Sequence, residues 1–270
     1  MRREIFTKHQ QITMKQLFLA SFILFLATTT FGQKKIADQN HAWITYQGNH
    51  KLSKKWGLHT EYQWRRADFF QHWQQSLLRI GLDYHLNANA FVSAGYGSII
   101  TFPYGEMPVS HQFNEHRIWE QFTQKSTIGR VDIQHRYRLE QRILDNYVKS
   151  GAEFVKDGTV FRNRVRYRAM VFIPLNHTSM SDNTLFLNVN DEVFLGFGEG
   201  IGTNILDQNR LQIALGWKFN AKCMVQAGYM NQYVVKKAKV SPTNTVLDQA
   251  ENNNTLTIGL TYNFDFSKKD

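Results

Sequence analysis

Along most of the chain, apolar and polar residues alternate with period two in segments of roughly ten residues punctuated by turn residues. Between Trp56 and Trp64, the set Trp56, Leu58, Thr60, Tyr62, Trp64 alternates with Gly57, His59, Glu61 and Gln63. Successive side chains of a strand point to opposite faces, so this pattern makes one face apolar and the other polar. The rule recurs from Leu78 to Tyr84, Val92 to Ile100, Val131 to Leu139, Val165 to Ile173, Leu185 to Val189, Leu211 to Phe219, Val225 to Tyr233 and Leu256 to Phe266. Trp and Tyr gather near the stripe ends, at Trp56, Trp64, Tyr84, Tyr96, Trp119, Trp217, Tyr229 and Tyr262. An apolar outer face, a polar inner face and aromatic girdles predict an all-β protein, a transmembrane antiparallel up-and-down β-barrel. A soluble periplasmic β protein is the competing reading, and the many arginines on the polar face weigh against it.

Tight connections are expected at 87–89, 124–129 and 220–222, and longer polar loops at 103–111, 143–158, 196–208 and 236–253. That is the rhythm of short periplasmic turns and long external loops. Counting 41–48, eleven segments read as strands, whereas bacterial single-chain barrels have an even number. The expectation is therefore twelve strands, with one hidden near the N-terminus or in 143–158, or ten if 41–48 is not part of the wall.

At the start, Met14-Lys15-Gln16 precedes an apolar run from Leu17 to Ala27 and the small-residue exit Thr30-Phe31-Gly32. This reads as a secretory signal peptide, too short for a membrane helix, with cleavage before Gln33 and with Met14 as the candidate true start. Residues 1–32 are thus an extension and signal, and 33–270 one barrel domain, exported to the outer membrane as a monomer. No later run is long and apolar enough for a membrane helix, which excludes a helical membrane protein. The lone Cys223 excludes a disulfide framework and lies too far from the cleavage site to anchor lipid.

The full chain carries a net charge of +10. Losing Arg2, Arg3, Lys8 and Lys15 with Glu4 leaves the mature chain at +7. On the alternation, the basic wall Arg136, Arg138, Arg142, Arg162, Arg164, Arg166 and Arg168 points inward, with Arg65, Arg79, Arg117, Arg130, Arg210 and Lys218. Glu61, Asp83, Glu115, Asp132, Glu140, Glu192 and Asp265 face them. Such a lumen either attracts anionic small solutes through a narrow pore or is filled by paired charges, because long side chains can fill a barrel of this size. Nucleic acid is discounted, since the basic residues lie inside the wall; outer-membrane lipid is the expected surrounding.

The stretch Asn114-Glu115-His116-Arg117-Ile118-Trp119-Glu120-Gln121, followed by His135-Arg136-Tyr137-Arg138-Leu139-Glu140-Gln141-Arg142, resembles the family DUF2490. Phe161 to Tyr167 and Asp207 to Leu211 look like its later landmarks. The resemblance implies an outer-membrane β-barrel of Gram-negative bacteria with no assigned role. It leaves function open.

One constellation suggests catalysis. Ser98 lies in an outward stripe, Asn114 and His116 share outward parity, and a hairpin centred near Met107 would set Ser98 beside His116. Nucleophile, base and orienting amide are the parts of an acyl hydrolase, the alternative function. The bland account is a small wall residue beside a girdle histidine. Gly196, Gly198, Gly200 and Gly202 lack the spacing of a phosphate-binding fingerprint, and the histidines show no metal-ligand spacing, so neither cofactor nor metal is expected.

Overall fold

The computed structural model describes residues 34–198, 205–240 and 246–267. The signal peptide expected over 1–32 lies outside them. The described chain forms eleven strands and no helix. They are β1 (Lys34–Lys51), β2 (Trp56–Ala67), β3 (His72–His85), β4 (Ala90–Thr101), β5 (Phe113–Ile128), β6 (Val131–Ser150), β7 (Glu153–Pro174), β8 (Thr184–Phe197), β9 (Leu206–Lys218), β10 (Cys223–Val240) and β11 (Val246–Tyr262). Among the described residues, 36–198, 205–237 and 249–267 make the barrel unit. Residues 34–35, 238–240 and 246–248 belong to a second small unit.

Each strand lies beside its sequence neighbours, and β1 meets β11 to close the barrel. From β1 to β10 the neighbouring pairs are antiparallel. An odd number of alternating strands must close through one parallel pair. The seam meets that requirement: Asp38 bonds Asn252, Asn49 bonds Asn263, His50 bonds Phe264 and Lys51 bridges Asp265, every pair separated by 214 positions. The expectation of twelve strands, or of ten, is therefore corrected to eleven among the described residues. Segment 41–48 is wall, and parallel closure removes the need for an even count.

Three connections also differ from expectation. Of 236–253, all but 241–245 lies in β10 and β11. Residues 143–158 are not a loop but the end of a β6–β7 hairpin, turning at Gly151 with φ of 64°. β5 runs through 124–128, and the turn falls at Gly129-Arg130. The long connection 102–112 is irregular, as expected.

Alternation places the apolar stripes outside: Leu78 is 56% exposed, Ile118 52% and Leu215 55%. Inside, Trp119, Phe186, Phe194 and Glu140 are fully buried. Trp119 is thus a correction, for it shares the parity of Glu115 and Arg117 and fills the interior instead of a girdle. Gly81 and Gly95 make its room: a Cβ at either would come within 2.6 Å of the indole. The outer aromatics form two groups. Trp56 packs on Tyr84 at one end, and Trp64 on Trp73 and Phe70 at the other.

Candidate functional site

The interior is built from positions that alternation turns inward on β2 to β8. Their backbones are fixed by the strand ladders, and their long side chains meet near the axis. Glu140 is the hub. Its carboxylate lies 2.5 Å from Arg164, 2.5 Å from Arg166, 3.6 Å from Arg79, 3.9 Å from Arg117 and 4.0 Å from Arg138. Around it, Glu61 takes both contacts of Arg79 Nη1 at 2.9 and 3.0 Å. Glu115 accepts from Arg117 at 2.5 Å and from Arg142 at 2.6 Å. Glu192 joins Arg136 at 2.5 Å and Arg166 at 2.8 Å, and Arg164 also reaches Asp207 at 2.6 Å. Charges this dry are tolerable only when paired, and each of these five acids bridges at least two arginines or shares one that reaches another acid.

Aromatic faces complete the packing. Arg138 lies 4.8 Å from the Trp119 ring, and Arg164, Arg166 and Arg210 lie 5.0, 4.3 and 4.7 Å from that of Phe194. A guanidinium is weakly hydrated and planar, so it stacks on a ring while its edge donates to carboxylates. On β8 to β11 amides join the charged lining. Asn190 donates to Asn188 and Gln212, and Gln232 donates to Gln208.

Most inward assignments hold: Arg65, Arg79, Arg117, Arg136, Arg138, Arg164 and Arg166 are buried with Glu61, Asp83, Glu115, Glu140 and Glu192. Arg142, Arg162, Arg168 and Arg210 are half-buried on the same faces. Two assignments, Arg130 and Asp265, fail because their residues sit beyond strand ends, where alternation no longer selects a lumen. Arg130 is exposed in a turn, and Asp265 bridges Lys51 outside the network at 3.7 Å. Asp132, which accepts from Thr127, and Lys218, which donates to the Met180 carbonyl, keep inward parity and border a cavity at one mouth. The sequence reading missed Trp43 and Phe194 as stacking platforms, Asp207 as an acid and the amide lining. For Phe194 the signal was its shared parity with Glu192.

Two cavities flank the filled middle. One, of about 190 Å³, lies beneath connection 102–112 and is bordered by Arg65, Arg210, Lys236, Tyr104 and Met107. The other, of about 360 Å³, lies at the opposite mouth, where Lys125, Lys218 and Lys222 border it. Tyr104 reaches inward from its connection to donate to Glu251 at 3.3 Å, and packs edge-on against buried His41 at 5.4 Å.

Of the suggested triad, Ser98 and His116 are direct partners across β4 and β5. The imidazole, however, bonds the Tyr96 hydroxyl through Nδ1 and stacks on that ring at 5.9 Å. Asn114 turns to Asp145 at 3.4 Å. The three side chains are neighbours without forming a relay. Among the described residues no cluster of metal-ligating side chains occurs.

A family model described as "Protein of unknown function (DUF2490)" matches residues 40–243. No curated protein and no solved structure matches the chain.

Proposed function

The chain belongs to the DUF2490 family, and from that premise we propose that it is an outer-membrane β-barrel of Gram-negative bacteria whose interior is closed by its charge network, a structural surface protein and not an open pore. What supports the location is the outer wall. Trp56 and Trp64 mark its two aromatic ends, and eight residues at about 3.4 Å each, tilted by roughly 40°, span about 21 Å, near the ~25 Å height of a lipid-facing band. The exposed stripes between them would not be left to water. Cleavage before Gln33 and fractionation with the outer membrane are the expected results; folded protein in the soluble periplasmic fraction would overturn the location.

The observation that carries the closed interior is Glu140, fully buried at mid-barrel beneath five guanidiniums. A water-filled lumen would leave that carboxylate wet. In planar bilayers the purified barrel is expected to give no sustained conductance, and a stable anion-selective current would restore the pore reading. Among the described residues no hydrogen bond joins Ser98 to His116, and Asn114 turns to Asp145, so the nucleophile–base contact that a hydrolase needs is not made; Ser98→Ala is expected to leave any lipid hydrolysis by the purified barrel unchanged.

A further inference from the structure

We propose that the cavity beneath connection 102–112 binds a small free oxyanion, phosphate-like or carboxylate, with Arg65 and Arg210 as its cationic anchors. This builds on the closed interior proposed above, and the two readings fail separately.

Most interior guanidiniums have a carboxylate within 4.0 Å; Arg65 and Arg210, which border the cavity, have none among the described residues. Arg65, only 5% exposed, meets neutral amides alone: Nε and Nη2 donate to Gln63, and Nη1 donates to Gln75 at 2.5 Å. Arg210 gives one bond, Nη2 to Gln208 at 3.2 Å, and its buried Nε has no partner. Both lie against the same indole, at 3.9 and 5.0 Å from the Trp43 ring, so the two guanidinium centres are within 8.9 Å of each other. Like charges so close, away from bulk water, repel, and a ring quadrupole offsets only part of that.

An oxyanion between them answers the arrangement. The guanidinium edge presents parallel N–H donors that match phosphate or carboxylate oxygens, and two guanidiniums no more than 8.9 Å apart can each give one anion a contact of roughly 2.8 Å. Gln75, Gln208 and Gln232 also border the space and can donate or accept, while Met107, Val109 and Phe113 form its dry side. At about 190 Å³, against roughly 10–15 Å³ for each water, the cavity holds a phosphate or a short phosphomonoester with its waters and excludes a polymer. Its position inside the wall favours a free solute over a lipid headgroup.

The test uses the full mature chain folded in non-ionic detergent, titrated calorimetrically with inorganic phosphate against chloride at equal ionic strength. Saturable one-to-one binding of phosphate is expected, weakened at least tenfold by Arg210→Gln and unaffected by Lys54→Gln at the far mouth. Should Arg210→Gln fold poorly, Arg210→Lys keeps the charge, loses the fork and is expected to weaken binding too. Equal responses to phosphate and chloride, or unchanged affinity in both Arg210 variants, would sink the proposal. So would a response only to micelles doped with phosphatidylglycerol. A barrel that conducts yet binds phosphate removes the closed interior alone; a non-conducting barrel that ignores phosphate removes this site alone.

Discussion

Neutralising Glu140 while keeping its shape would leave five arginines facing one another with no common acid. Breaking a buried pair by removing one partner costs about 3–5 kcal/mol, so Glu140→Gln is expected to lower unfolding stability by that order. Lys54→Gln, in an exposed turn, should change it by less than about 1 kcal/mol. Urea unfolding of both variants in detergent makes the comparison. A titratable contact lies beyond the last pairing of β5, where Lys156 donates to Asp145 at 2.6 Å and holds its carboxyl below the usual range. A carboxyl depressed in the folded state adds stability above its unfolded value, near 3.9, and loses it as pH falls through the folded value. Protease cutting in the hairpin tip is therefore expected to rise below about pH 4, while Asp145→Asn should be susceptible already at neutral pH. Residue by residue, the inward arginines were legible because parity is a backbone property. Trp119 was not, because a tryptophan suits an interfacial girdle and a packed interior alike, and only its parity with Glu115 and Arg117 separates the two. Which acid meets which arginine depends on the stagger between strands, which alternation does not encode.

The hairpin of β6 and β7 reaches well past its neighbours: β5 pairs with β6 only as far as Leu144, and β8 with β7 only as far as Asn163. In sequence, 143–158 looked like a loop because Asp145, Asn146, Gly151, Asp157 and Gly158 break the apolar stripe. A strand with no core on either face needs no stripe, only a partner, and these two arms supply each other's hydrogen bonds. The hairpin also supports the neighbouring connection, since His111 lies 4.1 Å from the Tyr147 ring and 4.7 Å from that of Phe154. His111→Ala is expected to raise amide exchange throughout 102–112 while moving the global unfolding midpoint little. Unchanged exchange there would mean that Tyr104 and its contact with Glu251 hold the connection alone.

At the scale of the whole molecule, the eleven strands of the described residues force one pair to run parallel, and the seam between β1 and β11 is that pair. With Cys223 replaced by Ser, the double variant Asp38→Cys and Asn252→Cys is expected to form a disulfide in the folded barrel, since those side chains bond at 2.7 Å; twelve-stranded closure would leave both thiols free. The barrel itself was legible in the sequence and the seam was not, because closure depends on the count of strands and not on any stripe. Parallel ladders are slightly weaker per residue than antiparallel ones. The wall is thus not uniform around its circumference: under pulling force or denaturant, the cylinder would split first along this line, unrolling into a sheet whose two free margins are its first and last strands.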